Sequence, residues 1–217
     1  MQFMGLAVVL GVLALIILWL GARTLGHGNW FLAWLRGTVG LGLIVLALFA
    51  GALAYDLSTY REQLSDKNIA VLSVHTTENG LHQIRLDDGQ NRQNFLLDGE
   101  LWGMDVRVLK WKGVASLIGL QTGYRMDVMS GRYLAIEQQN AALYPEAQLS
   151  PSWLGIDLWR WLQNIGGSLP FVSAEMARVS YIPLENEARY GLEWLPTGLQ
   201  VRPMNSVAEL ALQNWVE

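Results

Sequence analysis

Two long uncharged runs near the start of the chain constrain its fold more than any other feature. Phe3 to Ala22 reads FMGLAVVLGVLALIILWLGA, and Gly37 to Tyr55 reads GTVGLGLIVLALFAGALAY. Built as α-helices at about 1.5 Å per residue, they reach about 30 Å and about 28 Å, the thickness of a hydrocarbon core. Lipid cannot satisfy an open backbone, so such runs cross it as helices. A transmembrane hairpin is therefore expected over residues 1–55, with spans at 3–22 and 37–55. The second can extend back to Trp30 if Arg36 snorkels towards headgroups. A cleaved signal peptide competes for the first run. No Lys or Arg precedes it, it exceeds a signal core in length, and a second run follows, so an uncleaved helix is expected.

Charge divides the chain at the same place. Residues 1–55 contain no acid and only Arg23 and Arg36, whereas residues 56–217 hold all 19 acids and the remaining bases, with acids in excess. A stalk at 56–67 and a water-soluble domain at 68–217 follow from this shift, and that length suffices for one domain with its own core. An acidic domain without a Lys/Arg run is a poor ligand for phosphate backbones, so no nucleic-acid partner is expected. The chain has no cysteine, which excludes disulfides, thiolate metal sites and cysteine nucleophiles.

Flanking bases set orientation. Arg23 and Arg36 lie in or beside the connector, against Arg61 and Lys67 further out on the other side, which favours a cytoplasmic connector and a periplasmic domain in a bacterial inner membrane. Trp19, Trp30 and Trp34 would then mark one interface, and Tyr55 and Tyr60 the other. With no ionisable residue inside either span, the hairpin offers no ion relay and reads as an anchor. The pairs Ala7/Gly11, Ala47/Gly51 and Ala50/Ala54 have the spacing for close helix packing.

Strand signals dominate beyond Lys67. NIAVLSVHTTE and LHQIRLDDG flank Asn79-Gly80, a strong hairpin cue. A three-residue loop, Glu78-Asn79-Gly80, pairs Val74 with Ile84 and Leu72 with Leu86, which makes one face apolar, so this register is preferred. Further strands are expected at about 92–98, 101–112, 123–129, 132–138, 174–184, 188–195 and 198–203. The pair 123–129 and 132–138 would turn at Ser130-Gly131. Helices are expected at 152–166 and 206–216, the latter capped by Asn205 or Ser206. The fold class is α+β: a two-helix transmembrane hairpin, then a soluble antiparallel β-rich domain with one or two packed helices and a sheet that can curl towards a barrel.

No catalytic, cofactor or metal site is expected. His75 and His82 face opposite sides of the first hairpin and cannot share a metal. Asp88 and Asp98 fit turn chemistry, and no nucleophile elbow, HExxH, phosphate loop or dinucleotide fingerprint occurs. The segment SWLGIDLWRWLQNIG is the most unusual, with three tryptophans in nine residues and a narrow stripe of Asp157, Arg160 and Asn164. Packing of Trp159 and Leu162 against the domain is preferred, leaving Trp153 and Trp161 to meet lipid or another subunit.

The phrases GELW, VLKWKG, GYRMDVMSGRY, DLWRWL and ARYGLEWLPTGLQVRP, together with the N-terminal hairpin, resemble a family of small proteobacterial inner-membrane proteins. Its members often carry the label "cation/multidrug efflux pump", and the resemblance implies a bacterial inner-membrane location. The leading expectation is a membrane-anchored interaction module, an accessory or assembly subunit of a cell-envelope complex. Its partners would be the bilayer and a membrane protein or a second copy. The alternative is a membrane-proximal binding domain for a lipid or other apolar ligand, in a sheet concavity lined by Trp102 and Trp111. An enzyme of unrecognised type is the third reading.

Overall fold

In a computed structural model of the chain, the two apolar runs form antiparallel helices, α1 (Gln2–Thr24) and α2 (Trp30–Ser58). The structure describes residues 2–24, 30–62, 68–77, 80–150, 157–195 and 197–216. Both helices are long and apolar enough to cross a membrane, and their apolar windows are only 6% and 17% buried, so neither is a core helix of the fold. The second starts at Trp30, the earlier of the two expected positions.

Small residues hold the pair together, though not all at the expected places. Ala47 and Ala54 are buried, but a methyl group added at Gly11 or Gly51 would touch nothing within 4 Å. The tight approach is at Gly21, where a Cβ would stand 3.0 Å from the Gly40 carbonyl oxygen. At this distance a side chain would force the two backbones apart by a few tenths of an ångström.

After α2 the chain forms β1 (Arg61–Glu62), β2 (Asn68–Thr76), β3 (His82–Asp87), β4 (Arg92–Leu97), β5 (Leu101–Trp111) and a single-turn helix, α3 (Val114–Leu117). Then come β6 (Gly123–Arg132), α4 (Ile136–Ala141), β7 (Glu146–Gln148), α5 (Leu158–Asn164), β8 (Val172–Pro183), β9 (Arg189–Leu195), β10 (Gly198–Pro203) and α6 (Ser206–Val216). One sheet has the order β1-β6-β5-β8, with β7 sharing the outer edge of β6; the other runs β10-β9-β2-β3-β4. The chain is thus an α+β protein with antiparallel ladders.

The first hairpin takes the register that makes one face apolar: Val74 pairs with Ile84 and Leu72 with Leu86. All four are buried, and Gly80 has φ +76, the left-handed conformation that this loop needs. Asn205 caps α6, its Oδ1 accepting from the Ala208 N–H at 3.1 Å. Two expectations are corrected. The segment 123–132 is one strand, not two strands about a turn, and 136–141 is helical. The described helix near 160 starts at Leu158, because Asp157 is extended and accepts from the Arg160 N–H; residues 151–156, Trp153 among them, lie outside the described part.

Contacts divide the chain into two compact units. The first takes in Met1–Glu62, Leu109–Tyr124 and Ser152–Ala174; the second, Gln63–Val108, Arg125–Pro151 and Glu175–Glu217. The first unit thus takes in the apolar hairpin and stretches of the β-rich region. The core of the second lies between facing strands, with Trp102 against Tyr190 at 5.7 Å between ring centroids.

Candidate interaction surfaces

In the first unit, Leu57, Tyr60, Leu109, Trp159, Leu162, Val172 and Ala174 form a buried cluster, against which Leu6, Leu10, Trp111, Leu158 and Leu169 pack. Tyr60, expected to mark an interface, is a core residue here, whereas Tyr55, Trp19 and Trp34 are exposed. Two carboxylates satisfy the first turn of α5. Asp56, the first acid in the chain and itself buried, accepts from the Leu158 N–H at 3.0 Å, and Asp157 accepts from that of Arg160 at 3.0 Å. Both oppose the positive end of the helix. A residue at the end of α2 thereby fixes where α5 begins, and α5 turns Trp159 and Leu162 inwards. Trp161 stays 54% exposed, as do Ile165 and Phe171 to a similar degree.

Trp102 and Trp111 are not brought together. They lie nine residues apart on β5, an odd separation that places them on opposite faces. Trp102 is fully buried in the second unit, while Trp111 belongs to the cluster of the first. The open groove of about 640 Å³ on the second unit has neither in its wall; Asn68, Ser73, Arg85, Asp87, Arg92 and Arg189 are among its lining residues. Arg92 is held by Asp87 at 2.7 Å, and the Gly89 N–H, then Arg92, hold the Asp87 carboxyl below its usual range.

Asp98 organises another surface of the second unit. Its buried carboxylate accepts from the backbone N–H groups of Leu143 at 2.6 Å and Tyr144 at 2.9 Å, and its own N–H donates to the Tyr144 carbonyl. Glu100 accepts from the Leu134 N–H, and Gln139 from that of Tyr133. The Gly131 N–H donates to Pro145, and a Cβ at Gly131 would collide with the Asp98 carbonyl. The backbone of 133–145 is therefore pinned at both ends, and Gln139 ties its middle back to Tyr133 within the segment. Its apolar side chains nevertheless point outwards: Leu134, Ile136 and Leu143 are 68%, 70% and 79% exposed. Turn chemistry, the role expected of Asp98, gives no sign of this clamp, because its partners lie 45 and 46 residues away.

The titratable groups beside the clamp have structural explanations. His82 Nδ1 lies 3.0 Å from the Thr76 hydroxyl, and burial lowers the ring's pKa against the opposing pull of a hydrogen bond to Gly99 and the charges of Glu185 and Asp98. Burial, then Asp98, raises that of Tyr133. Tyr190 is pushed up to about 12 by burial and then by Glu185, and its hydroxyl donates to the Pro183 carbonyl at 2.8 Å. A mostly buried ion pair joins Arg107 to Asp127 at 2.7 Å. Among the described residues no group of three or more His, Cys, Asp or Glu could hold a metal ion; His75 and His82 occupy non-equivalent positions of the β2–β3 ladder, opposite Gln83 and Thr76. No protein family, curated protein or solved structure matches this chain.

Proposed function

We propose that this protein is a membrane-anchored interaction module, an accessory or assembly subunit of a cell-envelope complex, with its β-rich part on the periplasmic side of a bacterial inner membrane. One observation carries the reading: the pinned 133–145 segment presents Leu134, Ile136 and Leu143 to solvent on a backbone that Asp98 holds in place. Apolar side chains on a preorganised backbone lose little freedom on binding, which is the economy of a docking loop. Retention of α1 is supported by Leu6 and Leu10, which pack against the cluster of the first unit.

Purification from the native host in mild detergent tests this reading. Wild-type protein is expected to bring down a stoichiometric membrane protein partner or a second copy, and the Ile136→Glu, Leu143→Glu double variant to lose it while remaining folded. Undiminished recovery of the same partner with the variant moves docking away from this loop. Topology has its own test. A reporter after Glu217 is expected to behave as periplasmic and one near Gly28 as cytoplasmic, and the reverse pattern would overturn the orientation.

A further inference from the structure

We propose that the first unit makes a second, non-spanning membrane contact, inserting α3 and the segment between α5 and β8 into the headgroup region of the leaflet from which the hairpin emerges. Val114, Leu117 and Ile118 are 72%, 84% and 72% exposed, and Trp161, Ile165 and Phe171 are about half exposed. The two segments adjoin: the Lys112 N–H donates to the Phe171 carbonyl at 2.8 Å, and a Cβ on Gly113 would lie 3.5 Å from the Pro170 carbonyl.

Continuity with the hairpin identifies the occupant as lipid. Trp111 and Val172, immediate neighbours of Lys112 and Phe171, pack in the same cluster as Leu6, Leu10 and Leu57. The exit of the hairpin lies in this cluster: α2 ends at Ser58, and Leu57 and Tyr60 are both part of it. Charge agrees. Within 109–124 and 157–174 the exposed charged residues are Lys110, Lys112 and Arg160, all basic, while the Asp157 side chain is only 7% exposed. Exposed apolar side chains rimmed by bases match an anionic headgroup layer over acyl chains.

The chain has no cysteine, so single spin labels can be placed in the full-length protein at Leu117→Cys, Ile118→Cys and Phe171→Cys. Leu13→Cys, exposed within α1, serves as the lipid reference. In vesicles of phosphatidylcholine and phosphatidylglycerol, the three labels are expected to collide readily with dissolved oxygen. Their accessibility to a water-soluble nickel chelate should be at least about fivefold below that of label free in buffer, as for an interfacial segment. Full nickel accessibility at all three positions, with Leu13 shielded, overturns the proposal. Shielding from both oxygen and nickel also overturns it, because protein rather than lipid would then cover the patch. A water-accessible label at Leu13 removes the anchor itself, and this contact with it.

Discussion

Asp98 controls backbone far from it in sequence, because one buried carboxylate oxygen accepts two backbone N–H groups. Asp98→Ala should leave both donors without an acceptor and cost about 2–5 kcal/mol, a figure that urea denaturation can read. Asp98→Asn keeps one carbonyl acceptor and should cost less. Near it, His82 supplies a pH dependence of known sign. Burial lowers its pKa in the folded protein, so the unfolded chain binds the proton more tightly. Its contribution is complete above about pH 6.5 and is lost as pH falls through the folded-state value. The urea midpoint of the wild type should therefore decline on acidification below about pH 6.5, and His82→Gln should flatten the upper part of that decline. An unchanged profile in the variant would mean that other groups control the acid limb. In the hairpin, Gly21→Val should loosen α1 from α2 and cost about 1–3 kcal/mol, whereas Gly11→Ala should be neutral, since its Cβ meets nothing within 4 Å.

The element that best separates local from tertiary control is α5. Its two faces were legible from the sequence, since a period of about 3.6 residues puts Trp159 and Leu162 on one side and Trp161 on another. Trp159→Ala and Leu162→Ala should each cost about 2–5 kcal/mol, and Trp161→Ala should leave thermal stability nearly unchanged. Equal destabilisation by all three would remove the exposed face. Legibility failed wherever one residue type serves two purposes. Asn79-Gly80 and Ser130-Gly131 look alike as turn signals. The first is a turn with Gly80 at positive φ, but Gly131 is inside a strand because the Asp98 carbonyl occupies the place of a side chain, the other reason for a strand glycine. Apolar periodicity likewise gives no information on the Asp56 cap, whose hydrogen bond to Leu158 spans 102 residues. The surfaces suffered most. Trp102, expected to line a sheet concavity, is fully buried, because strand alternation alone does not distinguish a core indole from one that lines a ligand site.

How far the apolar hairpin can be separated from the β-rich part depends on the cluster around Trp159. Were the hairpin only a tether, its removal would leave the remaining fold unchanged. Instead Leu57 is fully part of that cluster, Leu6 and Leu10 pack on it, and Asp56 caps α5. A chain starting at Thr59 should therefore lose the cap and expose Trp159, Leu162 and Trp111. By contrast, the β2–β3–β4 ladders and the Trp102–Tyr190 contact draw on no hairpin residue. The two units should respond differently to this truncation. Hydrogen exchange should show near-native protection in β2, β3, β4 and β9 but accelerated exchange in α5 and at the first residues of β8, since protection follows the local opening free energy. The truncated chain should also self-associate in buffer and be dispersed by mild detergent, because exposed aromatic clusters aggregate. Asp56→Ala in the full-length protein provides the matching point substitution, weakening protection in α5 by removing its cap while leaving the hairpin in place. Full protection of α5 in the truncated chain would show that the β-rich part folds without the two apolar helices, and would return the hairpin to the status of a tether.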